Sequence, residues 1–156
     1  MYDIQEPPRR YIRDGRAPIP ESDSTSRVMS ANRGKNTKPE IILRRALWKS
    51  NFRGYRLHKK NIPGRPDIAF TRKKLAVFVN GCFWHRCPHC SPSMPKTNVD
   101  FWKAKFSRNK ERDQRKIEEL IRIGWRVLTI WECEIETDLQ SCIDRIEIEI
   151  SLYLAF

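Results

Sequence analysis

The chain has 156 residues, of which 31 are Lys or Arg and 19 are Asp or Glu, so its formal net charge at pH 7 is +12. This length predicts one domain that is large enough to bury a hydrophobic core. So large a positive excess favours a polyanionic partner, with nucleic acid as the first candidate and an anionic membrane surface as the second. No segment approaches the roughly 20 apolar residues that a membrane-spanning helix needs, so we expect none.

The N-terminal segment differs from the rest of the chain. Residues 1–24 contain four of the ten prolines and no helical or strand periodicity, which predicts a flexible basic leader before a single domain at 25–156. Residues 1–4 lack the basic and apolar pattern of a secretion signal, so we expect a cytoplasmic protein. Five cysteines in such a chain favour metal ligation over disulfides.

Apolar periodicity and breaker residues predict the elements of that domain. Thr37 and Glu40 have the spacing of a capping box, Asn98 is placed to cap the long helix, and Thr137 is expected to open the last helix. The order predicts an α/β fold with a central mixed sheet flanked by helices. The predicted elements are a helix from 37 to about 50, a strand at 55–58, a hairpin of strands 67–70 and 75–79, a helix from 99 to 123, a strand at 125–131 and a helix from 137 to about 152.

A cysteine cluster follows the second arm of the hairpin. Its three members lie within nine residues, at the short spacings that wrap a tetrahedral zinc ion: Cys82, Cys87 and Cys90. Cys133, just past another apolar run, is the best candidate for the fourth ligand, and His89 is a rival to Cys87 or Cys90. The alternative is ordinary buried thiols, which is the interpretation that we prefer for Cys142.

Two acidic residues are candidates for a divalent cation site. Asp67 opens an apolar strand, where a charge is out of place, and the hairpin can bring its carboxylate beside the backbone carbonyl of Val79. Carboxylate and carbonyl oxygens are the ligands that magnesium prefers. Glu40 is the second candidate, although the capping box alone also explains it. The corresponding alternative for Asp67 is an aspartate in a turn.

His85 and two residues of the long helix are candidates for chemistry. Asn109 and Asp113 interrupt an apolar helical stripe, which marks either a site or the boundary of the stripe. His85 could take a proton from a metal-assisted water, bind zinc or contact a phosphate. We favour the base, because four cysteines already satisfy a zinc ion.

Aromatic and basic residues surround these candidates. Phe83 and Trp84 are adjacent, and exposed rings beside a basic surface stack on bases or wedge between them. The alternative is that one ring packs on the zinc knuckle, the predicted zinc-binding turn at residues 82–90. The many Lys and Arg side chains near the predicted site offer a phosphate-binding rim, with a steep salt dependence.

Taken together, the motifs resemble the very short patch repair endonucleases over about residues 25–135. The resemblance implies a restriction-endonuclease-like fold of the PD-(D/E)XK type with a structural zinc, in a magnesium-dependent monomer that nicks DNA 5′ of the thymine of a T·G mismatch. Such mismatches arise by deamination of 5-methylcytosine, which implies functional links to a cytosine-5 methyltransferase and to mismatch-repair proteins. The residues that carry the resemblance are Gly64-Arg65-Pro66-Asp67, Asn80-Gly81-Cys82-Phe83-Trp84-His85, Pro95-Lys96-Thr97, Phe101-Trp102, Asn109, Arg112-Asp113, Gly124-Trp125-Arg126-Val127-Leu128 and Trp131-Glu132-Cys133.

The resemblance also assigns roles. It implies that Asp67 and the carbonyl of Val79 bind magnesium, that His85 is the general base oriented by Asp113, and that Glu40 supports the metal site. It implies a DNA wedge and a zinc set, which comprise Phe83, Trp84 and Met29 for the wedge and Cys82, Cys87, Cys90 and Cys133 for zinc. The implied phosphate contacts are Arg65, Lys105, Asn109 and Arg112.

The chain departs from the family at several positions. Asn80 stands where some members carry a catalytic-site histidine, and an asparagine can donate a hydrogen bond to phosphate but cannot donate a proton in catalysis. Some members have a histidine at Cys87, which makes an all-cysteine site a variant. No lysine follows two residues after Val79, where ordinary restriction-type nucleases have one, and this absence favours the histidine-based mechanism.

Other functions stay open at this point. A restriction-type nuclease on the same fold would cut ordinary or modified duplex DNA. A zinc-stabilised DNA-binding module would bind without catalysis, which would make the pattern of Asp67, His85 and Asp113 accidental. Membrane association is the weakest alternative, because no helix pairs a basic face with a large apolar one.

Overall fold

The computed structural model describes residues 34–152. The predicted leader at 1–24 and Met29 lie outside the described residues. Within them, no helix has both the length and the apolar character that crossing a membrane requires. The elements are α1 (Lys38–Lys49), β1 (Arg56–Leu57), β2 (Ile68–Phe70), a 3₁₀ turn (Thr71–Lys73), β3 (Leu75–Asn80), α2 (Cys82–His85), α3 (Val99–Arg122), β4 (Arg126–Trp131), α4 (Glu132–Thr137) and α5 (Leu139–Leu152).

The four strands form one mixed sheet in the order β1-β2-β3-β4. β1, β2 and β3 make an antiparallel meander, while β3 and β4 are parallel and are connected through α3. The predicted mixed sheet is therefore confirmed. The β3–β4 pairing continues to the ends of both strands, where Asn80 lies opposite Trp131.

Alternation along the strands divides the core between the two faces of the sheet. Leu75 and Val77 of β3 are buried in one cluster with residues of α1, α4 and α5, which include Leu43, Ile135 and Ile146. The intervening residue of β3 and its neighbours form the cluster on the other face, which contains Ile62, Ala69, Ala76 and Leu120. Because residues i and i+2 of a strand share a face, this division gives three layers, with the sheet between helices. Cys142 is 1% exposed in the first cluster, which confirms its prediction as a core residue.

One predicted helix start is wrong, and one predicted cap lacks its side-chain hydrogen bond. Thr137 is the last residue of α4, and Asp138 caps α5 because its Oδ1 accepts a hydrogen bond from the N–H of Ser141 at 3.0 Å. Asn98 does precede α3, but it has a left-handed φ of 51° and makes no side-chain capping bond. The sequence could not show that one apolar stretch divides into α4 and α5, because both helices pack on the same core.

The buried face of α3 gives a test of this packing. Leu120 is fully buried, whereas its neighbour Ile121 is 59% exposed. We expect Leu120→Ala to lower the free energy of unfolding by about 2 to 5 kcal/mol, because it removes apolar contacts and leaves a cavity. Ile121→Ala is the matched control and is expected to change it by less than about 0.5 kcal/mol. Urea unfolding followed by circular dichroism measures both, and equal losses in the two variants would contradict the layer assignment.

Candidate active site and metal centre

The candidate residues meet where several strands end at one edge of the sheet. β1 ends before His58, β2 begins after Asp67, and β3 and β4 end at Asn80 and Trp131. The meander runs β1 and β3 in the same direction and β2 in the opposite one, so these termini lie at the same edge. Crevices beyond the carboxyl ends of parallel strands are common ligand sites.

The Asp67 carboxylate lies against the end of β3. Its Oδ2 accepts a hydrogen bond from the backbone N–H of Val79 at 2.8 Å. The predicted proximity of Asp67 and Val79 across the hairpin is thus present. Burial raises the pKa of Asp67 from its ordinary 3.8 to about 6, and the negative charge of Glu40 acts in the same direction. The Val79 hydrogen bond and the positive charge of Lys116 oppose this rise only in part.

Glu40 caps α1 and also lies beside Asp67 and His58, and its role at a metal site stays a prediction. Its carboxylate accepts hydrogen bonds from the N–H of Asn36 at 3.0 Å and from the N–H and hydroxyl of Thr37 at 3.3 and 2.9 Å, which form the predicted cap of α1. The residue is only 3% exposed. The same carboxylate faces the Asp67 cluster, because its Oε2 lies 3.3 Å from the Nε2 of His58.

His58 is a site residue that the sequence reasoning missed. Its Nδ1 lies 3.5 Å from Oδ1 of Asp67, its Nε2 lies 3.3 Å from Glu40, and its side chain is 12% exposed. Burial lowers the pKa of His58, although the negative charge of Glu40 opposes the shift. The register of β1 and β2 places this residue: Leu57 pairs with Ile68, so the next residues along, His58 and Asp67, face each other.

His85 and Asp113 form an ionisable pair beside the cluster of Glu40, His58 and Asp67. His85 ends α2, and its Nδ1 is hydrogen-bonded to Oδ2 of Asp113 on α3. Burial raises the pKa of Asp113, but the bond from His85 and the charges of His85, Lys116 and Arg112 outweigh it, so this pKa lies below its ordinary value. An ionised carboxylate accepts hydrogen bonds only, so Nδ1 of His85 carries the hydrogen of this bond, and Nε2 is the ring nitrogen that is not engaged with Asp113.

Lys116 is another residue that the sequence reasoning missed. Its Nζ lies 3.4 Å from Oδ1 of Asp113, and its charge acts on Asp67 as well. The turn before Asp67 packs directly on this side chain: a Cβ at Gly64, which has a φ of +71°, would lie 2.9 Å from the Cβ of Lys116. Glycine therefore permits both the conformation of the turn and its close approach to α3.

The four predicted zinc ligands converge: one sulfur atom from each of Cys82, Cys87, Cys90 and Cys133 lies within 4.8 Å of the others. The Sγ atoms of Cys87 and Cys133 are 3.7 Å apart. Sulfurs bound tetrahedrally at about 2.3 Å from zinc lie about 3.8 Å apart, so the residues fit this ion. His89 is exposed and its ring lies beside Trp131, while its N–H donates to the Sγ of Cys87 at 3.4 Å.

Backbone hydrogen bonds fix this knuckle. The N–H of Cys82 donates to Oε2 of Glu132 at 3.1 Å, and the N–H of Cys133 donates to the Sγ of Cys82 at 3.3 Å. Glu132 had no predicted role. An N–H donor to sulfur stabilises the thiolate form, which is the form that binds a metal.

Phe83 and Trp84 lie in the helical turn α2 and both are half-buried. The Phe83 ring lies edge-on to Trp84, Trp102 and Phe106, at centroid distances of 5.1, 5.5 and 5.3 Å. The alternation expected for a strand does not apply, because successive residues of a helix lie on adjacent parts of its surface. Both rings pack on α3, and their role as a wedge stays a prediction.

The predicted phosphate contacts are distributed around this aromatic cluster, the Asp67 cluster and the His85–Asp113 pair. Arg65 and Arg112 are exposed, and Asn80 is half-buried at the end of β3. Lys105 places its Nζ 5.3 Å from the centre of the Trp84 ring, and Asn109 donates its amide to the carbonyl of Trp84 at 3.0 Å. Asn109 therefore fastens α2 to α3, and the phosphate contacts of this group stay predictions.

The acidic cluster fits a divalent cation in its donor set. Glu40, His58 and Asp67 each offer one ligand atom, and these atoms lie within 4.8 Å of one another. Two carboxylates of the same charge at such separation repel, and a cation between them offsets both the repulsion and the cost of burial.

Comparisons with known proteins agree with this geometry. The family described as DNA mismatch endonuclease Vsr matches residues 19–91. The type II nicking enzyme V.XorIIP of Xanthomonas oryzae pv. oryzae is 44% identical over 108 residues, which are 69% of this chain and 79% of that protein. The type II nicking enzyme V.NaeI of Lentzea aerocolonigenes is 45% identical, over 77% of this chain and 74% of that protein. The DNA mismatch endonuclease Vsr of Escherichia coli K12 is 42% identical over 51% of each chain.

Among solved structures, the catalytic domain of the homing endonuclease I-Bth0305I is similar with a TM-score of 0.52 and 25% identity, over 76% of this chain and 98% of that one. This similarity supports a restriction-endonuclease-like fold with a mixed sheet and flanking helices. Because the chain covers more than two thirds of several relatives at 41 to 45% identity, it belongs to the DNA mismatch endonuclease Vsr family, a family of nucleases.

Proposed function

We propose that this protein is a magnesium-dependent DNA mismatch endonuclease that nicks one strand 5′ of the thymine in a T·G mismatch. The observation that supports this function best is the arrangement of the His85–Asp113 pair beside Asp67 at one edge of the sheet. In this arrangement, His85 is suited to accepting a proton and Asp67 to binding a cation. Hydrolysis of a phosphodiester needs both.

Asp67 and the carbonyl of Val79 are the residues that would hold magnesium, with Glu40 beside them. Magnesium, when bound, polarises the scissile phosphate and neutralises the charge that develops on it. His85 accepts the proton of the attacking water at Nε2, because Nδ1 is engaged with Asp113. Asp113 then stabilises the imidazolium, and Asn80 can donate a hydrogen bond to a phosphate oxygen.

The aromatic residues provide the proposed selectivity for a mismatch. Phe83 and Trp84 would enter the base stack from the major groove, with Met29 on the other side. Unstacking costs a few kcal/mol per step and less at a wobble pair, so the wedge selects before any base edge is read. The rings must exchange their contacts with Trp102 and Phe106 for contacts with bases. Lys105, Arg65 and Arg112 would then contact the phosphates of the bound duplex.

The proposal extends to cofactors and partners. Zinc has a structural role in the four-cysteine knuckle, since all four cysteines are used and no ligand position stays open for chemistry. A single chain carries every proposed catalytic residue, so the proposed site needs no second copy, and we propose a monomer as the active form. The origin of T·G mismatches links the enzyme to a cytosine-5 methyltransferase, whose target sequence sets the context of the mismatch, and to mismatch-repair proteins.

Nicking of defined duplexes tests this function. End-labelled duplexes that carry T·G, T·A or C·G at one position, in several flanking contexts, are incubated with the protein and magnesium. We expect a single nick 5′ of the mismatched thymine. His85→Gln should lower the nicking rate about 10²- to 10⁴-fold through loss of the base, whereas the matched variant His89→Gln should stay within about threefold. Equal scission of all duplexes would support the restriction-type nuclease, and tight binding without scission in any context would support the binding module.

Metal analysis tests the structural zinc. We expect the purified protein to contain about one zinc ion per chain. Cys87→Ala should lose the zinc and most of the cooperative thermal transition, because the knuckle then lacks a ligand. Cys142→Ala removes a thiol of the same type from the core and should keep the zinc. Atomic emission spectroscopy gives the zinc content, and retention of a full zinc equivalent by Cys87→Ala would exclude the four-cysteine assignment.

The raised pKa of Asp67 predicts how stability depends on pH without magnesium. Because the folded-state pKa of about 6 lies above the ordinary 3.8, the folded protein resists loss of this proton. The contribution of Asp67 to stability is fully present below about pH 4 and is lost as the pH rises through about 6. Asp67→Asn removes this penalty, so we expect its free energy of unfolding to exceed that of the wild type by about 1 to 3 kcal/mol near pH 7.5 and by less near pH 4.5.

Urea unfolding at the two pH values, with zinc retained and no magnesium added, measures this difference. The exposed Asp144 gives the control variant Asp144→Asn, which should leave the pH dependence unchanged. A destabilised Asp67→Asn protein at pH 7.5 would mean that Asp67 is compensated in the folded state without a cation.

A further inference from the structure

His58 occupies a position that the proposed mechanism does not use. It follows β1, has a left-handed φ of 44° and directs its imidazole between two carboxylates. Its Nε2 is buried and has no hydrogen-bond partner among the described residues. The 3.3 Å separation from Glu40 is therefore a contact without hydrogen-bond geometry.

A buried polar atom without a hydrogen-bond partner destabilises the folded protein. A neutral imidazole nitrogen with a free lone pair is also a good metal ligand. Ligand atoms that share one divalent cation at about 2.1 Å lie about 3 to 4 Å apart. Nε2, the ring nitrogen without a hydrogen-bond partner, lies 3.3 Å from Oε2 of Glu40, which is in this range. The 3.5 Å separation from Asp67 belongs to the other ring nitrogen, Nδ1, and one ligand atom from each of the three residues lies within 4.8 Å of the others.

The residues around this cluster shield it from water and hold its two carboxylates in place. Glu40 is 3% exposed and the His58 side chain is 12% exposed, so water cannot replace the missing partner freely. Glu40 is held by three hydrogen bonds from Asn36 and Thr37, and Asp67 is held by the N–H of Val79. The two carboxylates are thus fixed before any cation binds, and the imidazole lies between them.

We propose that His58 supplies a nitrogen ligand to the cation that Asp67 and Glu40 hold, which makes this a mixed nitrogen and oxygen site. This inference rests on the metal site of the proposed function and adds its ligand set and its cation preference. Imidazole favours transition-metal ions over magnesium, which prefers oxygen alone. The site therefore binds Mn²⁺ more tightly than Mg²⁺, and His58 is the residue that sets this difference.

Electron spin echo spectroscopy of bound Mn²⁺ tests the proposal directly. The protein keeps its zinc, contains no DNA and is loaded with one equivalent of Mn²⁺. We expect ¹⁴N modulation of the imidazole type in the wild type, its replacement by the ¹⁵N pattern after labelling of the histidines, and its loss in His58→Gln. His85→Gln tells the two histidines apart and should keep the modulation, because the ligand atoms that lie together belong to Glu40, His58 and Asp67. Loss of the modulation in His85→Gln with its persistence in the His58 variant would assign the nitrogen to His85 and overturn the proposal.

Equilibrium binding gives the second measurement. His58→Gln should weaken Mn²⁺ binding about 10- to 100-fold and change Mg²⁺ binding by less than about threefold. His58→Asn provides a smaller side chain should the glutamine variant not fold, as judged by zinc content and circular dichroism. Absence of ¹⁴N modulation from bound Mn²⁺, its persistence in both His58 variants, or no Mn²⁺ binding would overturn the proposal. Neither measurement uses a mismatch, so they fail independently of the nicking experiment.

Discussion

The parallel pairing of β3 with β4 is the constraint on which the four-cysteine cluster and the position of the proposed base both depend. The two strands stay in register until Asn80 and Trp131, so the segments that leave them begin side by side. Cys82 and Cys133 each follow two residues later and come into contact, with the N–H of Cys133 directed to the Sγ of Cys82 at 3.3 Å. A slip of one residue would turn the alternating strand side chains to the opposite face and separate these cysteines. The core contacts that set the register therefore also build the knuckle.

That knuckle also carries the proposed base. α2 contains Cys82 at its start and His85 at its end, so anything that anchors the first residue orients the second. α3 holds the same turn from the other side through Asn109, which bonds to the carbonyl of Trp84, and through Asp113, which bonds to His85. The proposed zinc ligand Cys82 and the proposed base His85 thus belong to one helical turn that α3 holds in place. In the proposed mechanism, loss of zinc should therefore lower the activity even when the acidic residues are unchanged. Loss of supporting contacts has the same effect at other metal sites.

The sequence predicted the elements that local chemistry determines. The capping box of Thr37 and Glu40, the hairpin and the cysteine spacings follow from neighbours in the chain, and the structure contains them. His58 was missed because its position depends on the register of a two-residue strand, which leaves no periodic pattern. Lys116 was missed because its contact with the turn at Gly64 depends on how α3 packs on the sheet. Sequence patterns could not identify these two residues, because tertiary contacts, and not neighbours in the chain, determine their positions.

The two aspartates of the site show why those contacts matter for function. Asp113 has cationic partners in the protein, Lys116 and Arg112, together with the hydrogen bond from His85, and its pKa lies below the ordinary value. Asp67 has fewer such partners, faces Glu40, and has its pKa raised to about 6 by burial. Environments that shift the pKa values of two carboxylates in opposite directions give the two groups different roles. In the proposed mechanism, the ionised Asp113 orients the base, and the carboxylate of Asp67 binds the cation. The raised pKa of Asp67 predicts that ionising it costs stability at neutral pH, and a cation bound at the proposed site would offset this cost.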